Sequence, residues 1–380
     1  MAACVVWEWI DGESLDLLPC GALKRQSVIA FARIRPPMFA LLCHVVAASM
    51  VLNAAPRAPL PPLKAAVIVP GFLSDAKDFE DLATLLTERG IPTAVVPFPL
   101  WCWLPQIGGR SVRLVLDRLE HTVRHVAALG DDAHRSQAPI TVPPIEYGVA
   151  DLWRDFWTNP GGVAEVGGSA YPDEYPTDVS PAGRVPAPIG EPCGRVAIIG
   201  HSAGGWISRI FLSDRAYGGK AYCGAELVHS LVTIGTPHKV GMGVPFYSVE
   251  WINREPFPAE RVDGLAVGGR GTRGDSNSVS SGAYSFCTPD GRSGDGLDGD
   301  GLTTLDSAIG LDGVETKVLD GVTHYPWTAA PFADQLIPEL AAAYREGTPW
   351  YGSEAVLDQW LPWLIDRMPG EKSPESSQGD

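Results

Sequence analysis

The sequence predicts an α/β fold, with a mostly parallel central sheet flanked by helices and one long insertion. Three observations lead there. Short apolar runs rich in β-branched residues recur at 65–69, 93–96, 195–199 and 230–234, as buried strands should, and 315–319 reads as a final strand. The first two are joined by a short link holding one helical pattern, which implies parallel pairing. The third runs through Gly200-His201-Ser202-Ala203-Gly204 into apolar residues at helical spacing, so strand, tight turn and helix follow one another.

Composition narrows the class. The chain has 380 residues, 45% hydrophobic and 19% charged, ample for one large domain with appendages or for two domains. A formal net charge of −16 argues against a nucleic-acid partner and against steering to anionic membranes. The 34 Pro and 42 Gly call for long irregular connections. The seven Cys include no C-x-x-C pair, so neither a zinc site nor a thioredoxin-type motif is expected. Cys102, Cys193, Cys223 and Cys287 read as buried thiols rather than disulfides.

Residues 1–62 read as a targeting or anchoring leader outside the folded domain. Within it, 38–55 is an apolar run preceded by Arg33 and Arg35 and followed by the Pro-rich linker 59–62. A targeting sequence is the favoured reading, a membrane anchor or a buried core helix the rivals. Glu8, Asp11, Glu13 and Asp16 fit a plain transit peptide poorly.

The folded domain is expected over 63–367. The strand at 65–69 leads to the turn Pro70-Gly71-Phe72-Leu73, a helix over 76–88 that closes at Gly90, and the strand 93–96. Residues 101–104 (Trp-Cys-Trp-Leu) read as an aromatic loop. A helix over 110–129 keeps Val112, Val115, Leu116, Leu119, Val123 and Val126 on one face. Residues 130–193, rich in Pro and Gly, are an insertion that either forms a cap beside the site or is a surface excursion; as a cap, its Tyr147, Trp153, Phe156, Trp157, Tyr171 and Tyr175 would face an apolar substrate. After the strands at 195–199 and 230–234 come a further strand over 262–267, a Gly/Ser/Asp-rich loop over 268–299, the strand 315–319, and helices over 334–346 and 353–364. Residues 368–380 read as a disordered tail.

The G-x-S-x-G turn has the context of a nucleophile elbow: Gly200 and Gly204 lack bulk, so the turn can be sharp and lift the Ser202 hydroxyl clear of the sheet. A serine hydroxyl needs a base, and the base an orienting acid, expected later in the chain in the order Ser, Asp or Glu, His. Three histidines follow Ser202. His229 precedes a strand, at the wrong end. His238 follows one and is a rival. His324, just past the last strand in Asp320-Gly321-Val322-Thr323-His324, is the expected base. His201, beside the nucleophile, is expected to point away from it. Asp300 is the expected acid; Asp298, Asp295 and Asp320 are rivals. A calcium loop is the other use of such a run, but the alternation of an EF-hand is missing. The oxyanion is expected to be held by backbone N–H groups of Ala203 and of Phe72 or Leu73.

The set Gly-His-Ser-Ala-Gly-Gly-Trp (200–206), Gly-Thr-Pro-His (235–238), Gly-Asp-Gly-Leu-Thr (299–303), Asp-Gly-Val-Thr-His (320–324) and Trp-Tyr-Gly-Ser (350–353) resembles the lipase-like α/β-hydrolases of plants and algae. More loosely it is similar to inositol deacylases and triacylglycerol lipases. The likeness covers about 65–365 apart from much of 130–193. It implies an α/β-hydrolase fold, the roles of nucleophile, acid and base for Ser202, Asp300 and His324, esterase or lipase activity, no metal or other cofactor, and a plastid address; secretory and membrane-anchored locations are the alternatives. The expected substrate is a small-molecule or lipid ester, with membrane contact through the leader or an apolar cap. Acyl transfer to an alcohol, or a non-catalytic lipid- or partner-binding protein of the same fold, are the competing functions.

Overall fold

Residues 65–69, 196–199 and 231–234 are buried at every position because the sheet they belong to is covered on both faces there, whereas the edge strand at 315–320 buries only Leu319. The computed structural model describes residues 59–107, 111–135, 137–145, 190–218, 220–241, 246–276, 278–325 and 347–369. The chain divides into Met1–Ala58 and Pro59–Asp380, and the described residues all lie in the second unit. The expected leader up to residue 58, the aromatics of the expected cap, the helix over 334–346 and the tail beyond 369 lie outside the described residues.

Six parallel strands build the sheet: β1 (Pro62–Val69), β2 (Thr93–Val95), β3 (Arg195–His201), β4 (Val228–Ile234), β5 (Asp263–Arg270) and β8 (Glu315–Asp320), in the order β2-β1-β3-β4-β5-β8. Two further strands, β6 (Thr272–Arg273) and β7 (Asp298–Gly299), pair antiparallel apart from it. The protein is thus an α/β protein with a mostly parallel sheet.

The alternation of a strand sorts its side chains between two cores. Ala65, Val67 and Val69 of β1, with Val196 and Ile198 of β3, face helices α2 (Arg113–Leu129), α3 (Ala203–Leu212) and α4 (Tyr247–Ile252). Ala66 and Ile68, with Ala197 and Ile199, face α1 (Glu80–Glu88) and α6 (Glu354–Ile365). Each fully buried Ile or Leu contributes about 1.5–3 kcal/mol to holding these layers together.

Several elements depart from expectation. The strand β1 starts at Pro62 rather than 65, because Pro62 pairs with Arg195 and Arg195 N–H bonds the Pro61 carbonyl at 2.7 Å; proline is tolerated at a strand's first position. The helix expected over 76–88 opens as a 3₁₀ turn (Ala76–Phe79) capped by Asp75 before α1 begins. The aromatic loop at 101–104 is instead a 3₁₀ turn (Leu100–Trp103) running into Leu104–Ile107. The run 268–299 is no single loop: it finishes β5, holds β6 and helix α5 (Val279–Ser285), and ends in β7. Its many Gly and Ser mask a helix whose first turn is capped by the Ser278 hydroxyl, which accepts from Ser281 N–H at 3.1 Å.

Helix α2 buries its predicted apolar face, and also Arg113, Asp117, Arg118, His121 and His125. Its polar side is covered by partners: Lys220 Nζ lies 2.8 Å from Asp117 and 2.7 Å from Glu120, and the Tyr222 hydroxyl donates to Asp117 at 2.9 Å. Of the expected insertion, Gly130–Arg135 prolongs α2 as a 3₁₀ turn and Ile140 N–H bonds the Thr93 carbonyl at the sheet edge. Cys102 and Cys287 are buried free thiols as expected, but Cys193 is exposed and Cys223 only half-buried. No helix among the described residues is long and apolar enough to cross a membrane.

Candidate active site

Parallel strands deliver all their C-terminal ends to one edge of the sheet. The chain runs from β1 to its neighbour β2 on one side, whereas β3 lies on the other side of β1, so the turns after β1 and β3 meet at a topological switch point, where α/β sheets form crevices. The turn after β1 is 70–73; the turn after β3 is Ser202.

Ser202 stands between β3 and α3 with φ 51° and ψ −122°, a conformation that side chains other than glycine rarely adopt. The surroundings hold it there. Its N–H donates to the Ile234 carbonyl of β4 at 3.0 Å. A Cβ at Gly204 would strike the Val69 carbonyl, and one at Gly200 would strike Gly205, so the expected need for small residues on both sides is met through close backbone approach. Gly205 and Thr236 pack together beneath the turn, a contact that no local sequence pattern marks.

Asp300 is completely buried and fully partnered. Its Oδ1 accepts from the N–H groups of Leu302 (3.0 Å) and Thr303 (2.7 Å). Its Oδ2 accepts from His324 Nδ1 (2.8 Å) and from the Tyr351 hydroxyl (2.7 Å). Burial alone would raise its pKa, but His324, Thr303 N–H and the Tyr351 hydroxyl together bring it below the ordinary carboxylate value, so Asp300 is ionised. The rival acids are engaged elsewhere: Asp295 accepts from Ser281, Asp298 caps the N–H of Gly271 and Gly299, and Asp320 pairs with Arg270, all at the surface.

His324 is 1% exposed and pinned at both ends of its peptide unit: its N–H donates to the Asp300 carbonyl at 3.0 Å and its carbonyl accepts from His201 Nε2 at 2.8 Å. With Nδ1 donating to Asp300, its Nε2 is left as the basic nitrogen. His238 is not placed to compete. Its Nδ1 faces Arg209 at 3.3 Å and its Nε2 the Thr233 hydroxyl at 3.0 Å, while burial and Arg209 hold its pKa well below the usual value. His229 bonds Ser230 and the Leu63 carbonyl at the far end of β4.

Glycine joins the pieces. Gly235, at φ 60°, directly follows Ile234, which holds Ser202; a Cβ there would collide with Tyr351, Asp300 and His324. A Cβ on Gly71 would collide with His201 and Ser202, so the turn after β1 lies against the turn that carries Ser202. Phe72 sits in that turn, its carbonyl accepting from the Tyr325 hydroxyl at 3.2 Å, while Leu73 adopts φ 60°. Ala203 opens α3, so its N–H has no intrahelical acceptor. Among the described residues Ser202 Oγ makes no hydrogen bond; what links Ser202 to His324 is indirect, through His201 on one side and Ile234–Gly235 on the other. Such bonds often tighten only when substrate binds.

Sequence leaves Trp101 and Trp103 open between substrate contact and core. Trp103 is core: fully buried, edge-on to Phe72 and Phe98 at 5.4 Å each, with Nε1–H donated to the Ser74 carbonyl. Trp101 is half-buried under the Arg118 guanidinium. A cavity of about 170 Å³ lined by Arg209, Leu212, Ile252, Phe257 and Arg261 lies behind α3 and touches none of Ser202, Asp300 and His324. Among the described residues no group of three or more His, Cys, Asp or Glu is placed to hold a metal ion.

The chain matches no protein-family model and no curated protein sequence. A functional reading therefore stands on the residues and their geometry.

Proposed function

We propose that the protein is a serine hydrolase of the α/β-hydrolase type that cleaves carboxylic esters, those of lipids foremost. The observation that carries this reading is the pairing of a strained serine on a strand-turn-helix with a buried His324–Asp300 couple at the same sheet edge. A strained backbone at one hydroxyl and a buried ionised acid are costly features that a binding protein has no need of.

Ser202 Oγ attacks the ester carbonyl carbon while its proton passes to His324 Nε2. The oxyanion accepts hydrogen bonds from the N–H groups of Ala203 and Phe72. His324 then protonates the leaving alcohol, leaving an acyl-enzyme. Water gives a proton to His324 as it attacks the acyl carbon, and that proton returns to Ser202 as the acid departs. Asp300 stays ionised and balances the imidazolium. The lipid preference is supported by exposed Leu73 on the turn after β1 and exposed Leu100, Leu104 and Ile107 on the segment after β2.

The test is labelling of the full chain with a fluorophosphonate beside Ser202→Ala, followed by a series of aryl esters of increasing acyl length. Labelling of the wild type alone, with turnover peaking at medium or long chains, is the expected result. A folded wild type that neither labels nor cleaves any ester overturns the reading.

A further inference from the structure

His201 lies fully buried beside the couple yet takes no part in the proton transfers described. Its place next to Ser202 in sequence suggests a ring pointing away from the nucleophile; the ring lies 4.8 Å from that of His324 and within 6.2 Å of Phe79, Tyr325 and Trp350. Its Nε2 is 2.8 Å from the His324 carbonyl oxygen. A carbonyl only accepts, so Nε2 carries the proton. Nδ1 is then a bare lone pair, without a hydrogen-bond partner among the described residues and packed against Gly71.

This bond spans the sheet. β3 and β8 are separated by β4 and β5, three strand spacings or about 14 Å. The loop after β8 must therefore fold back over the strand ends to bring His324 to the end of β3, and the His201 side chain ties it down there. The tie begins one residue before the nucleophile and ends on the main chain of the base. It also has to remain neutral: His324 gains a proton in each half-reaction, and a second imidazolium beside it would oppose that. Burial first, then the neighbouring His324, brings the His201 pKa down to about 3.

We propose that His201 is a positioning residue, whose Nε2–H, donated to the His324 carbonyl, sets the register between the general base and the nucleophile. This rests on the hydrolase reading above.

The test compares full-length wild type with His201→Phe, which keeps an aromatic ring among Phe79 and Trp350 but has no donor, and His201→Gln, whose side-chain amide reaches a similar point. Three quantities are measured: the low-field imidazole proton of the His324–Asp300 bond (assigned by its loss in His324→Ala), the fluorophosphonate labelling rate, and kcat and KM on an aryl ester. In His201→Phe the resonance is expected to shift or exchange away, and labelling and kcat to fall about 10–100-fold with KM little changed, since displacement of the order of 1 Å costs about that much. His201→Gln should recover the resonance and most of the rate. A folded His201→Phe with an unshifted resonance and wild-type labelling overturns the proposal, and so does a Gln variant as impaired as Phe. Should His201→Phe not fold, Gln against the shorter Asn decides: equal behaviour overturns, a Gln advantage supports. A wild type without labelling or turnover ends the hydrolase reading, and the resonance in the Phe and Gln proteins then decides the tie alone.

Discussion

The Tyr351 hydroxyl donates to the same oxygen of Asp300 that accepts from His324 Nδ1, at 2.7 and 2.8 Å. It also accepts from the Gly269 N–H at the end of β5, at 2.7 Å. One phenol thus braces the buried acid against the sheet. In Tyr351→Phe, Asp300 and Gly269 both lose a buried partner, and we expect a loss of about 1–3 kcal/mol in urea unfolding with a several-fold drop in kcat. Unchanged stability would show that the bond carries no weight.

Ser202 is held in a backbone region suited to glycine. Ser202→Gly should abolish labelling and turnover while raising stability by about 1 kcal/mol, the relieved strain of about 1–3 kcal/mol being partly offset by the greater chain entropy of glycine when unfolded. Ser202→Ala should be equally inactive without that gain. Chemical denaturation of the two variants side by side checks both statements.

Gly204→Ala places a methyl group against the Val69 carbonyl, where neither backbone can yield without moving β1 from α3. A destabilisation of about 3 kcal/mol or more is expected. A melting temperature equal to wild type would mean that the turn is looser than its packing indicates.

Stability should fall on mild acidification, before most carboxylates titrate. Burial lowers the pKa of His201 to about 3, of His229 to about 4, and of His238 well below its usual value. Between those values and about 6.5 the unfolded chain binds protons that the fold refuses, so stability rises with pH there and is lost as pH drops, by up to about 1.4 kcal/mol per pH unit for each such group. Asp300 adds to this lower down: its folded pKa is depressed, so its contribution is complete above 3.8 and is lost as pH falls through the folded value. Urea midpoints at pH 7.5, 6.5, 5.5 and 4.5 should stay level in the first interval and fall in the later ones; a level series to 4.5 would show these imidazoles to be protonated in the fold.

Much of this arrangement is written locally in the chain. The strands around Val67, Ile198 and Val232 are apolar runs, and the turn at Ser202 carries its small neighbours with it, so both can be read from a few consecutive residues. His324 can be picked out by its place after the last strand. Asp300 cannot be separated from Asp298 or Asp295 on firm grounds, because what distinguishes it is the set of donors from Leu302, Thr303, Tyr351 and His324, which only the folded loop assembles. Helix α5 is hidden by small polar residues that also suit loops. The orientation of His201 depends on how the chain after β8 crosses two strands, and no local pattern records that. The Trp-Tyr-Gly-Ser stretch stands out as a motif, but nothing nearby in sequence points from Tyr351 to an aspartate 51 residues earlier.

The tie between His201 and His324 joins positions 123 residues apart, which at synthesis speeds of about 5–20 residues per second is a delay of about 6–25 s. A growing chain therefore exposes its serine turn well before the histidine that would arm it has been made. On the hydrolase reading proposed above, the elbow is chemically silent throughout that interval, and reactivity arrives only when the last strand docks. A reactive-serine probe applied to stalled nascent chains of increasing length would thus work as a clock for completion of the sheet.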